Sequence, residues 1–231
     1  MDIDLNCDLG EGCGNDAELM SLITSANISC GFHAGNAETA YQALLLAGRQ
    51  GVAAGAHPGF DDPEHFGRRE LSLLQDELFR LCIYQVGALF ALARQAGVPL
   101  RFIKPHGALY NMACRDAAVA EPVVAAAEFF QLPLVALPDS ALERLSDGRC
   151  PFFREGFADR RYLPDGALVP RNRPDAFVED PAEAVRQAEW LITVKKVKTL
   201  CVHGDNPQAV AFVRRLRHAF QERGYAIKPC T

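Results

Sequence analysis

Residues 52–60, VAAGAHPGF, carry the pattern that decides the fold: a short apolar run over 52–56 that ends directly in His57. The pattern recurs three times. Residues 26–30 precede His33, 100–103 precede His106 and 199–202 precede His203, so four of the six histidines share one architectural position. Short apolar runs bounded by Gly and Pro read as buried strands. If these strands are parallel, their carboxyl ends gather the imidazoles at one mouth, where barrels and open sheets of this class place their chemistry. The chain therefore reads as an enzyme.

Outward from those runs, strand-like and helix-like segments alternate along the whole chain. Strands are expected over 3–7, 26–30, 52–56, 100–103, 132–137, 152–157 and 199–202. The sixth is the weakest, because Arg154 and Glu155 interrupt it. Helices are expected over 16–24, from an Asn36 cap through 48, over 73–95, 117–130, from Ser140 onward, over 181–194 and over 207–223. Residues 61–70 are too charged and too broken by Pro and Gly for a core, and read as a long loop over the mouth; 159–174 is a second polar loop. Such alternation implies a parallel sheet with right-handed crossovers. So many functional residues at strand ends favour closure into a seven-stranded parallel (β/α) barrel, one domain over 1–231.

The 231 residues, 49% of them hydrophobic, suffice for a large core. No run of about eighteen apolar residues exists, and the start MDIDLNCDLGEG has neither a basic leader nor an apolar segment, so no membrane span and no secretion are expected. With 24 basic against 29 acidic residues, a net of −5, the chain has no general attraction for nucleic acid. Arg214, Arg215 and Arg217 read as the solvated face of an amphipathic helix. Eight cysteines without a CxxC pair fit buried thiols in a reducing cytoplasm better than disulfides or a thiolate zinc site.

The strand ends carry the chemistry. NCDLGEG places Asn6, Asp8 and Glu11 in a glycine-bounded turn, where two carboxylates can divide acid and base roles or hold a cation. CGFHAGN sets His33 between glycines that let backbone approach a ligand. In GAHPGF and KPHGALYN, His57 or His106 can act as general base, and Lys104 must face a carboxylate or the mouth, because an unpaired buried ammonium is too costly. REGFADR contributes Glu155, Asp159 and Arg160. CVHGDN contributes His203 and Asp205, the latter alternatively a helix cap.

Taken together, DLNCDLGEG, ANISCGFHAGN, GAHPGF, KPHGALYN, EGFADRRY, DGALVPR and LCVHGD resemble the LamB/YcsF family, over Asp4 to about Gly224. The resemblance implies a seven-stranded distorted barrel related to the glycoside hydrolase/deacetylase superfamily. It implies, as activity, that of the first of three components of an ATP-hydrolysing 5-oxoprolinase: ATP-driven opening of the cyclic amide of 5-oxo-L-proline to L-glutamate, with subunits B and C as partners and ATP as cosubstrate. Asp8, Glu11, His57 and His106 are then the catalytic candidates. Asn6, His33, Lys104, Glu155, Arg160, His203 and Asp205 bind substrate, with Lys104 or Arg160 on its carboxylate. No Walker-type GxxxxGK[ST] is present, so this chain alone does not explain ATP binding. Before the last strand, LITVKKVK is shorter than in family members, which bears on partner docking.

Two other readings stay open. Asp8, His57 and His106 can form a three-ligand site for a divalent metal in a stand-alone amidase or deacetylase. Alternatively, the chain is a non-catalytic substrate-binding subunit whose partner does the chemistry.

Overall fold

Seven parallel strands close on themselves: β1 (Asp2–Leu9), β2 (Ser25–Ser29), β3 (Ala53–His57), β4 (Leu100–Ile103), β5 (Leu134–Ala136), β6 (Phe152–Phe157) and β7 (Thr199–Val202). They neighbour one another in chain order, and β1 pairs with both β2 and β7 to complete the ring. This computed structural model describes residues 1–178, 180–202 and 209–230. Among the described residues, eight helices surround the ring: α1 (Asp16–Met20), α2 (Ala37–Gln50), α3 (Gln75–Ala96), α4 (Gly107–Arg115), α5 (Ala117–Phe130), α6 (Ala141–Ser146), α7 (Pro181–Thr193) and α8 (Ala209–Glu222). The expected closed parallel barrel is the observed architecture.

Side chains alternate across a strand, and here the alternation separates two kinds of core. Ile3, Leu5, Cys7 and Leu9 of β1 join an apolar cluster with Ile28 of β2, Leu44 of α2 and Val86 of α3. Burial of each such aliphatic side chain is worth about 1.5–3 kcal/mol, and this outer seam holds the helices on the barrel. The intervening Asp4, Asn6 and Asp8 are equally buried but point into the lumen. There Asp4 accepts hydrogen bonds from the hydroxyls of Thr24, Ser25 and Thr199 at 2.6–2.9 Å.

Several elements differ from expectation. Helix α1 ends at Met20, four residues early, and Asn15 occupies its cap position without a side-chain capping bond. Asn36 does cap α2, in a reciprocal box with Thr39, and Gly51 ends it in the left-handed conformation. Helix α4 was not anticipated. It begins directly after His106, and its short sequence is held by burial of Ala108, Leu109, Tyr110 and Ala113 rather than by propensity. A last short strand, β8 (Ala226–Ile227), pairs with Asp2 and Ile3 of β1.

Candidate active site

The carboxyl ends of β1, β2, β3 and the segment after β4 meet over the lumen. After β1 the chain turns sharply, and the Gly10 amide donates to Asp16 Oδ2 at 2.8 Å. Gly35, at φ +69°, lies so close that a Cβ there would stand 2.1 Å from the Gly10 carbonyl oxygen. Only glycine permits this approach, which docks the loop after β2 on the loop after β1. The result is that Glu11 Oε1 lies 3.1 Å from His33 Nε2 and 3.4 Å from His106 Nδ1.

His57 and His106 are fixed from outside by backbone. His57 Nδ1 donates to the Lys104 carbonyl at 2.7 Å, and His106 Nε2 donates to the Phe66 carbonyl at 2.8 Å. A carbonyl only accepts, so these bonds assign the protons, and in neutral rings they leave His57 Nε2 and His106 Nδ1 as lone pairs. Those two nitrogens are 2.9 Å apart. His33 stacks on His106 at 3.7 Å between centroids and 3° between planes. Burial, reinforced by His33 and His57, holds His106 well below the usual histidine range. Burial also lowers His33, outweighing Glu11.

The segment after β3 straps this cluster down. It contains a 3-10 turn, Pro63–His65, and it buries Phe60, Asp62 and Gly67. Gly67, at φ +63°, presses so close that a Cβ would meet His33 Cβ at 2.6 Å and His106 Cδ2 at 3.0 Å.

Below the histidines lies a charged relay. Lys104 Nζ is within 2.9 Å of Asp8 Oδ1, 3.1 Å of Glu155 Oε1, 3.0 Å of Cys201 Sγ and 3.3 Å of Asn6 Oδ1. Burial works against the ammonium, but Asp8, Cys201 and Glu155 overcome it and raise Lys104 well above its ordinary value. Tyr110 donates to Glu155 Oε2 at 2.9 Å, and burial beside that carboxylate keeps the phenol protonated. Asn27 donates to both Asn6 and Asp8 at 2.7 Å. Asp8 Oδ2 stands 3.4 Å from His57 Nε2, linking relay and histidines.

Over Asp8, His57, Lys104 and His106 opens a cleft of 670 Å³. Its walls come from α4, the segment after β5 and the loop 159–178, which is held by bridges Arg160↔Phe177 and Tyr162↔Leu168. Of the residues singled out in sequence, Asn6, Asp8, Glu11, His33, His57, Lys104, His106 and Glu155 converge in one cluster, and Arg160 lies in the cleft wall. Asp159 is buried beside it. His203 and Asp205 fall outside the described residues. Tyr110, Asn27, Thr199, Cys201 and the Phe66 carbonyl were not anticipated.

Glu11, His33, His57 and His106 each offer a ligand atom, all within 4.8 Å of one another. Ligands around a tetrahedral divalent ion at 2.0–2.1 Å stand roughly 3.3–3.5 Å apart. The contacts of 2.9–3.4 Å therefore lie close to what a cation needs, and the backbone carbonyls behind His57 and His106 are the outer partners that orient metal-binding imidazoles.

The LamB/YcsF family model matches residues 3–231. The chain is 46% identical to the A component of 5-oxoprolinase from Methylococcus capsulatus, covering 97% of this chain and 94% of that one. It superposes on the crystal structure of the lactam utilization protein from Thermus thermophilus with a TM-score of 0.90, at 40% identity and covering 99% of both chains. A family 4 carbohydrate esterase from Streptomyces lividans, 11% identical, has a TM-score of 0.52 over 100% of this chain and 93% of its own, a likeness of fold alone. On the strength of the full-length match, the chain belongs to the LamB/YcsF family.

Proposed function

We propose that this chain opens the cyclic amide of 5-oxo-L-proline to give L-glutamate, as one component of an ATP-dependent enzyme completed by subunits B and C. The observation that carries this reading is the convergence of Asp8, His57 and His106 on the floor of a 670 Å³ cleft, with Glu11 and His33 packed against those histidines, in a chain so similar to a 5-oxoprolinase component. Hydrolysis of an unstrained five-membered lactam is unfavourable by itself, which is the physical reason for coupling to ATP as cosubstrate. Free thiols at all eight cysteines suit a reducing cytoplasm, and no helix among the described residues is long and apolar enough to cross a membrane.

The division of labour follows from the contacts. Asp8 Oδ2, on the cleft floor beside His57, is placed to take a proton from an attacking water. Lys104, braced by Asn6 and Glu155, donates to Asp8 and so holds that carboxylate in position. Arg160 keeps donors open to the cleft and meets the substrate carboxylate there. Glu11, His33, His57 and His106 would hold a divalent cation. When bound, it supplies Lewis-acid polarisation of an amide carbonyl.

The test is to combine the chain with subunits B and C, ATP and 5-oxo-L-proline and to measure L-glutamate. Asp8→Ala and His106→Ala should each lower turnover at least about 100-fold. Undiminished turnover would leave the barrel in a non-catalytic binding role. The histidine cluster also favours a second reading, a stand-alone metal-dependent amidase or deacetylase. Amide hydrolysis by the metal-loaded chain without ATP or partners would select it.

A further inference from the structure

Helix α3 turns an apolar stripe inward, in which Leu78, Cys82, Val86, Leu89 and Ala93 are buried. Gln85 is the polar exception in that stripe. It is fully buried, and a buried amide costs free energy unless both its donor and its acceptor are answered. One residue answers both. Gln85 Nε2 donates to the Gly59 carbonyl at 2.8 Å, and Gln85 Oε1 accepts from the Gly59 amide at 3.0 Å. Turning the side-chain amide over would set donor against donor and acceptor against acceptor, so its orientation is fixed. A neighbouring antiparallel strand makes the same pair of bonds to one residue. Gln85 supplies that pair two residues past the end of β3, where the ladder has stopped.

Gly59 is itself buried, and it lies against the His33 ring: a Cβ there would stand 2.7 Å from Nδ1 and 3.1 Å from Cγ. His33 differs from the other two imidazoles of the cluster. His57 and His106 each have the outer nitrogen on a backbone carbonyl. His33 Nδ1 is buried with no hydrogen-bond partner among the described residues. Apart from the contact of its Nε2 with Glu11, the ring is therefore held by packing, with His106 stacked on its face and Gly59 and Gly67 pressed against it. Helix α3 braces the same loop a second time, because Tyr84, next to Gln85, sets its ring 5.5 Å from that of Phe32.

We infer that Gln85 is a positioning residue: by clamping both polar groups of Gly59 it seats that glycine against His33 and so fixes the imidazole beside Glu11 and His106. The inference rests on the reading of this cluster as the cation-binding floor of a lactam-opening site. It gives Gln85, which does not line the cleft, the task that a carbonyl performs for His57 and for His106.

The test observes His33 directly. In the full chain labelled with ¹³C-histidine and kept in chelator, His33→Ala identifies the ring signal of His33 among those of the six histidines. That signal should move or broaden in Gln85→Met and stay in place in Leu89→Ala, which loosens the same helix but removes no bond to Gly59. Gln85→Asn, whose amide stops one methylene short, should move it too, and serves if the methionine variant does not fold. Calorimetric titration with zinc alone should show about 10- to 100-fold weaker binding in Gln85→Met. Adding Gln85→Met to His33→Ala should weaken zinc by no more than about two-fold beyond His33→Ala alone, because the first acts through the second. With subunits B and C, kcat should fall in Gln85→Met while KM changes little. An unmoved His33 signal in a folded Gln85 variant, wild-type zinc affinity in Gln85→Met, or an additive double variant would overturn the clamp. A wild-type chain that binds no zinc, or a wild-type complex that makes no glutamate, would instead strike the lactam reading, and a His33 signal moved by Gln85→Met would still uphold the clamp.

Discussion

His57 Nε2 and His106 Nδ1 face each other across 2.9 Å, each on a ring whose other nitrogen donates to a backbone carbonyl. Two lone pairs at that distance repel unless a proton or a metal ion lies between them. With Glu11 and His33 beside them, the pair forms a polarised gap that a divalent cation relieves.

Cation binding should therefore be visible as added stability. At a free zinc or manganese concentration of about 100 times its dissociation constant, the native state gains about 2.7 kcal/mol, which is on the order of 5–10 °C in Tm for a chain of this size. Differential scanning calorimetry with and without chelator measures it. His106→Ala should abolish the shift, and a shift that survives this substitution would place the ion elsewhere.

Replacing Lys104 by Met leaves Asp8 and Glu155 buried with their shared cation gone. Breaking a buried pair in this way costs about 3–5 kcal/mol. Urea unfolding should show that loss, and adding Glu155→Gln to Lys104→Met should recover part of it, because the two sites are coupled. A loss below about 1 kcal/mol would mean that water reaches this relay in the native protein.

His33 and His106 are both lowered, so the folded state binds their protons less readily than the unfolded chain does. The stability they allow is fully present above the unfolded histidine value near 6.5 and is lost as the pH falls below it, each adding up to about 1.4 kcal/mol per pH unit. Unfolding midpoints between about pH 7.5 and 5 should fall accordingly, and a flat profile would contradict the neutral cluster.

Gly67→Ala places a methyl 2.6 Å from His33 Cβ on a left-handed backbone. The strap must lift, and the Phe66 carbonyl leaves His106. A displacement of about 1 Å near reacting groups can cost about 100-fold in rate, so turnover should fall by that order while stability drops about 1–3 kcal/mol. Normal turnover in a folded variant would remove the strap from catalysis.

Much of this molecule is readable in its residues. The four apolar runs ending in histidine correspond to β2, β3, β4 and β7, and they account for the convergence of His33, His57 and His106. Asn27 and Thr199 were readable too, since both are polar residues inside short strand runs, on the alternating pattern that Asp4, Asn6 and Asp8 display in β1. The Phe66 carbonyl and the close approach of Gly67 were not, because a backbone group carries no signature of its partner. Helix α4 was missed for a related reason. Its nine residues are held by packing, and periodicity says little over so short a span.

The polar lumen has a consequence for how such a barrel can change over evolutionary time. Asn6 alone touches Glu155, Thr199, Asn27 and Lys104, so altering any one of these strands the others in a site that water does not rescue. Substitutions inside this ring should show strong epistasis, with variants harmful singly and tolerated in combination. New specificities should arise first from the loops around the rim, which lie outside the mutual dependence centred on Asn6.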